Sequence, residues 1–186
     1  MKTLLTTLLL TGFAFAQDHT TMNMQNMTGM QMMQMPGMDQ MMKLTGKDFN
    51  RAFLSMMIPH HQGAIDMAEM ALKMGKDAKV KQWARQIIQD QKKEIAQMQK
   101  LLATQGGMDE EMAGQMKSMM EMPDMQGMDP DKMFVQMMIP HHASAIHMAG
   151  MALEKSGNFE VLRLARNIVT AQGKEILDFK MWLSKH

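Results

Sequence analysis

The sequence predicts an all-α fold, a four-helix bundle made of two repeated αα-hairpins, with disordered methionine-rich segments before and between them. Three observations carry this. Asn50 to Leu72, NRAFLSMMIPHHQGAIDMAEMAL, aligns at an offset of 81 with Asp131 to Leu153, DKMFVQMMIPHHASAIHMAGMAL, and Val80 to Ile95 aligns at the same offset with Val161 to Ile176. Alignment over two separated stretches marks an internal duplication. The apolar period is helical in both stretches: Phe53, Met57, His60, Ala64, Met67 and Ala71 form one stripe, and Ala84, Ile87, Gln91, Glu94, Met98 and Leu101 form another. Period-two alternation is absent, which argues against strands. The third observation is the short connection within each repeat. Each unit must fold back on itself, and because one hairpin buries a single seam, two must face each other to close a core.

Taken in order, the chain begins MKTLLTTLLLTGFAFAQ, with Lys2, an apolar run from Leu4 to Phe15, and Ala14-Phe15-Ala16 as a small-x-small cleavage site. This reads as a secretory signal peptide over residues 1–16, so the mature chain is expected in the periplasm or outside the cell. Residues 17–44 and 106–129 are read as flexible. Thr20 to Met42 holds ten methionines and Gly106 to Asp129 eight, and neither run has a Leu, Ile, Val or Phe. A core would draw on those residues, so methionine interleaved with Gly, Gln, Pro and Asp reads as low complexity. The first hairpin occupies 45–105, with Thr45 and Asp48 as a capping box, and Gly75 in its turn. The second occupies 130–186, with Asp129-Pro130 at its start, Gly157 in its turn and Asn158 as a cap. Pro59 and Pro140 fall inside otherwise helical patterns, where each removes a donor at a cost of ~3 kcal/mol in an ordinary interior and opens or bends the helix.

Composition excludes several functions. Loss of the leader with Lys2 takes the formal charge from +1 to 0, so no long-range field favours nucleic acid or anionic lipid. No later stretch reaches the ~18 apolar residues of a membrane span. The chain has no cysteine, which removes disulfides, thiolate zinc sites and thiol catalysis. Any metal ligands must therefore be His, Met or carboxylate.

The repeated words Met56 to His61 and Met137 to His142, each reading MMIPHH, concentrate such ligands. Adjacent histidines lie about 100° apart around a helix, so one can face the interior while the other looks sideways. His60 shares its stripe with Met57 and Met67, and small Gly63 and Ala64 leave room between them. In the second repeat His141 is accompanied by Met138 and Met148, and the position of Asp66 becomes His147. Met57 with His61, Met138 with His142, and His147 with Met151 are i, i+4 neighbours able to reach one ion. Thioether sulfur is soft and imidazole intermediate, a combination that selects Cu(I) and its mimic Ag(I). Ordinary core filling by each Met and a satisfied buried His is the competing explanation, and two copies of the motif among 31 methionines favour metal. Gln91, Glu94, Gln172 and Glu175 either hold the spare ring N–H of these histidines or form a wetter margin of the helix. Cleavage after Ala16 would expose Gln17-Asp18-His19, whose amine, two amides and imidazole can wrap Cu(II) in a square plane.

MMIPHHQGAIDMA and MMIPHHASAIHMAGMAL, each followed by a helix bearing Q-x-x-E-I, resemble the domain-of-unknown-function 305 family. The resemblance covers about Phe49 to Leu102 and Met133 to Leu183. It implies a ferritin-like bundle, often exported, with some methionine-rich members described as copper-binding proteins of copper tolerance. Carried over by position, it implies a ligand region of His60, His61, Met67 and Met70 and their counterparts His141, His142, Met148 and Met151. Asp66 fits the family's aspartate and His147 departs from it, so the second repeat is expected to bind metal differently.

The expected function is thus binding of copper, for sequestration, buffering or transfer, without enzymatic activity and with another periplasmic copper protein as a possible partner. Two alternatives make different predictions. A metal-independent protein-interaction bundle would not need its histidines. A ferritin-like oxidase would use Glu-x-x-His motifs, which occur nowhere in the sequence.

Overall fold

In the computed structural model of the chain, residues 37–120 and 127–186 are described. The expected signal peptide at 1–16, most of the first methionine-rich segment with His19, and part of the second lie outside them. Among the described residues the helices in order are α1 (Met38–Lys43), α2 (Gly46–Met74), α3 (Ala78–Gln105), α4 (Glu110–Met119), α5 (Pro130–Lys155) and α6 (Phe159–Leu183). The two hairpins are α2 with α3 and α5 with α6, and they meet along a seam between α2 and α5. No helix among the described residues is long and apolar enough to cross a membrane.

Caps set the boundaries. Asp129 accepts from the backbone N–H groups of Asp131 and Lys132, with Pro130 in the first turn of α5, and Asn158 accepts from those of Glu160 and Val161. Asp77 does the same for α3. The expected capping box at Thr45 is absent: Thr45 is the N-cap residue of α2, but its side chain makes no capping bond. Both prolines lie within continuous helix.

The helices α2 and α5 run antiparallel, which brings the end of one hairpin's first helix to the start of the other's. There Asp131, 7% exposed, accepts from the backbone N–H groups of Lys76 and Asp77 at 2.8 and 3.0 Å. Asp131→Ala would leave these two donors without that acceptor, and is expected to lower the unfolding free energy by about 2 kcal/mol, as measured by urea denaturation.

Packing divides into two clusters, one at each end of the bundle, and all four long helices contribute to both. One end holds Phe49, Phe53, Met57, Met98, Met148 and Leu164 among others. The other holds Ala64, Met67, Val80, Phe134, Met138, Phe179 and Trp182. The repeat relation exchanges the two ends, so Phe53 corresponds to Phe134 and Met98 to Phe179.

The methionine-rich segments depart from expectation. Their described parts form α1 and α4, and Met38, Met41, Met112 and Met116 are buried in the first cluster. Thioether chains fill an apolar surface there without Leu or Ile, and a flexible Met is able to conform to irregular gaps. The linker is also fastened to α2. Arg51 donates to the carbonyls of Gly107 and Met108 at 3.1 and 2.8 Å, and the Asp109 N–H donates to Ser55 Oγ at 2.8 Å.

Candidate metal-binding centre

Between the two apolar clusters, at the waist of the bundle, four imidazoles lie in a row. The antiparallel seam brings His60 of α2 against His141 of α5, with ring centroids 3.9 Å apart. Each ring has its sequence neighbour beside it, His61 at 6.3 Å from His60 and His142 at 6.1 Å from His141. All four are at most 1% exposed. The expected division of labour within each His-His pair holds, since the inner ring crosses the seam and the outer ring turns toward its own hairpin partner.

Hydrogen bonds fix which ring nitrogen is free. The His61 Nε2 lies 2.7 Å from Glu94 Oε2, and His142 Nε2 lies 2.7 Å from Glu175 Oε2. A carboxylate only accepts, so Nε2 carries the proton in both rings. His141 Nε2 lies 3.1 Å from the His60 carbonyl and must likewise donate. Ser144 Oγ gives its one proton to the His141 carbonyl at 2.7 Å, so at 2.6 Å from the same oxygen His60 Nε2 is again the donor. In all four rings the remaining nitrogen, Nδ1, is buried without a partner among the described residues. A neutral imidazole in this tautomer presents an Nδ1 lone pair.

Burial acts on the inner rings directly. His60 and His141 are both held well below the ordinary imidazole pKa, by loss of hydration first and then by the neighbouring imidazoles. They are therefore neutral at neutral pH, the form that can donate to a metal. The arrangement combines buried lone pairs with proton-bearing faces oriented by carboxylate, carbonyl or hydroxyl, as in histidines that ligate metal. Of the two readings open for Glu94 and Glu175, the structure shows the carboxylates on the ring N–H groups. Gln91 and Gln172 are buried as well, with side-chain atoms left unpartnered.

The expected thioethers divide by end. Met57, Met148 and Met151 share the first cluster, whereas Met67 and Met138 share the second. Each end thus combines residues from both repeats. Met70 and His147 are half-buried, and the Nε2 of His147 has no partner among the described residues. Among the described residues, no group of three or more His, Asp or Glu side chains forms a ready metal cluster, so a site here would have to draw on methionine.

Met120 was missed in the sequence. A Cβ on Gly63 would lie 3.1 Å from its Sδ, so the linker sets a thioether on α2 one turn beyond His60. The available signal was the repeat itself: Gly63 faces Met120, while its counterpart Ser144 carries the hydroxyl that orients His60. His19, the remaining expected ligand, lies outside the described residues.

Comparison with known proteins follows the same lines. The family model described as Domain of unknown function (DUF305) matches residues 1–102 and 103–183. Among solved structures, CopM in the Cu(I)-bound form is 31% identical, with 73% of this chain and 96% of that chain covered and a TM-score of 0.62. CopM in an Ag-bound form is 32% identical over the same shares, with a TM-score of 0.60. A crystal structure of a DUF305 fragment from Deinococcus radiodurans is 27% identical, covering 74% of this chain and 96% of that one, with a TM-score of 0.58. Curated proteins give no match.

Proposed function

The chain belongs to the DUF305 family, and on that footing we propose that it binds Cu(I), and Ag(I) as its mimic, for sequestration, buffering or transfer outside the cytosol. One observation carries the proposal: four buried imidazoles, each with Nε2 engaged and Nδ1 unpartnered. A core histidine kept for packing has no reason to leave a buried polar atom orphaned, and four in a row multiply that cost. The relation to CopM, known in Cu(I)- and Ag-bound forms, supports the choice of ion.

His60, His61, His141, His142 and His147 supply nitrogen, and Met57, Met67, Met70, Met138, Met148 and Met151 supply sulfur. Soft neutral donors hold Cu(I) without competition from protons on sulfur. Binding rather than catalysis follows from the donor set, since Glu94 and Glu175 are turned onto ring N–H groups and no Glu-x-x-His motif is present. Export rests on the leader-like residues 1–16, and Cu(II) capture by Gln17-Asp18-His19 is an additional role of a processed N-terminus.

The test is anaerobic Cu(I) competition with a chromophoric chelator. We expect tight binding in a chain beginning at Gly37 and its loss when all five histidines are changed to Ala. If the intact protein never competes with the chelator, the copper reading fails and a metal-independent partner becomes the explanation.

A further inference from the structure

Apart from the histidine row, we infer a second soft-ion site, built from thioethers and one amide oxygen, where α1 and α4 lie on the N-terminal half of α2. It deepens the copper-binding reading and rests on it for the class of ion, but shares none of the residues proposed above. Its centre is Gly37, the N-cap of α1, with φ +78. A Cβ there would fall 3.2 Å from Met112 Sδ, 3.4 Å from Met56 Cε, and against Gln115 Oε1. Side chains from α2 and α4 therefore converge on bare backbone. Gln115 is half-buried, and among the described residues its buried Oε1 has no hydrogen-bond partner.

The choice of residues points the same way. Every large apolar side chain of α1 and α4 is methionine: Met38, Met41 and Met42 in one, Met112, Met116 and Met119 in the other. The same core end takes Phe49, Phe53 and Leu54 from α2 and Leu164 and Ile168 from α6. Leu-for-Met exchange is nearly neutral for packing, so burial alone does not demand an unbroken series of thioethers. The two ends of the duplicated bundle also differ. Nine buried methionines belong to the core at the α1/α4 end; Met56, Met57, Met148 and Met151 among them have methionine counterparts in the other repeat, Met137, Met138, Met67 and Met70, so the surplus is Met98 with Met38, Met41, Met112 and Met116. At these positions the duplicated helices themselves carry like methionines at both ends, apart from Met98 against Phe179. The surplus sulfur comes almost entirely from α1 and α4, and a monovalent soft ion is a ligand that uses sulfur rather than mere bulk.

The experiment is titration of the full chain, labelled with 13C-methyl methionine, with silver nitrate, comparing the intact protein, the five-histidine variant, and Met56→Leu/Met112→Leu. The Met56 and Met112 methyl resonances are assigned from the single Leu variants. These two methyls are expected to shift on silver addition in the intact protein and in the histidine variant. The double Leu variant should bind one silver ion fewer, or bind it about tenfold more weakly, with unchanged helical circular dichroism. The inference is overturned if both methyls remain in place, or if the double variant binds as many ions with the same affinity. Should that variant misfold, the methyl shifts of the other two proteins decide. Full silver uptake by the histidine variant alongside loss in the Leu variant would remove the histidine site and leave this one standing.

Discussion

Below pH 6.5 the metal-free protein is expected to lose stability steeply, through His60 and His141. Both rings are fully buried, and dehydration holds their pKa well below the ordinary imidazole value. In the unfolded chain they regain a pKa near 6.5. At pH values between the unfolded and folded pKa the unfolded state binds more protons, so acid favours unfolding. The stability contributed by their neutrality is complete above about pH 6.5 and is lost as the pH falls toward the folded values. Within that window each ring removes up to about 1.4 kcal/mol per pH unit, roughly 2.7 kcal/mol for the pair. That is a large share of the 5–15 kcal/mol typical of a domain. Urea unfolding between about pH 5 and pH 8, followed by circular dichroism, should show this slope in the intact protein and a much flatter one in His60→Leu/His141→Leu. Equal slopes would mean that the two rings are hydrated or already charged in the fold.

The same pair shows what could be read from sequence. The offset-81 duplication and the helical stripe identify α2, α3, α5 and α6, because a repeated amphipathic pattern leaves few ways to bury both copies. They also place His60 and His141 on interior faces. The exchange of ends could not be read that way. It depends on the antiparallel seam, which sets Met57 with Met148 and Met67 with Met138 rather than keeping each repeat's ligands together. The helices α1 and α4 were misread for a compositional reason. Methionine in Gly- and Gln-rich surroundings resembles a flexible tract, although Asp109 as a cap, Glu110 and Glu111 in the first turn, and Met112 four residues before Met116 are helix signals. The cap outweighed the low complexity, and Ser55 with Arg51 on α2 anchored the result.

The seam also bears on how an ion could be held. Each outer histidine is bonded to the second helix of its own hairpin, whereas each inner histidine is bonded across the seam or faces the ring across it. Separation of the hairpins would therefore part His60 from His141 and leave both His–Glu pairs intact. An ion held at the row would consequently be coupled to association of the hairpins and should raise the stability of the whole bundle by mass action. Repacking of either hairpin alone would not reproduce that coupling.

Glu94→Gln and Glu175→Gln are expected to weaken Cu(I) binding by about 10- to 100-fold, though neither carboxylate need touch the ion. Each holds the Nε2–H of an outer histidine at 2.7 Å and so fixes the tautomer of the neutral ring and the direction of its Nδ1. A Gln amide has nearly the same shape but no charge, and it can turn its NH2 toward the ring. The ring then loses both its fixed tautomer and the basicity lent by the carboxylate. The two halves should not respond equally. Phe179 lies beside His142, with ring centroids 5.8 Å apart, while its repeat counterpart one turn from Glu94 is Met98. On the Glu94 helix the repeat thus has a thioether residue at the position that an aromatic residue takes on the Glu175 helix, and an aromatic face gives a Cu(I) ion little. Glu94→Gln should therefore cost more affinity than Glu175→Gln in anaerobic chelator competition, with exposed Glu69→Gln as the control. Equal losses would make the row a single symmetric site. Unchanged affinity in both variants would reduce the His–Glu pairs to hydrogen bonds that clamp each hairpin.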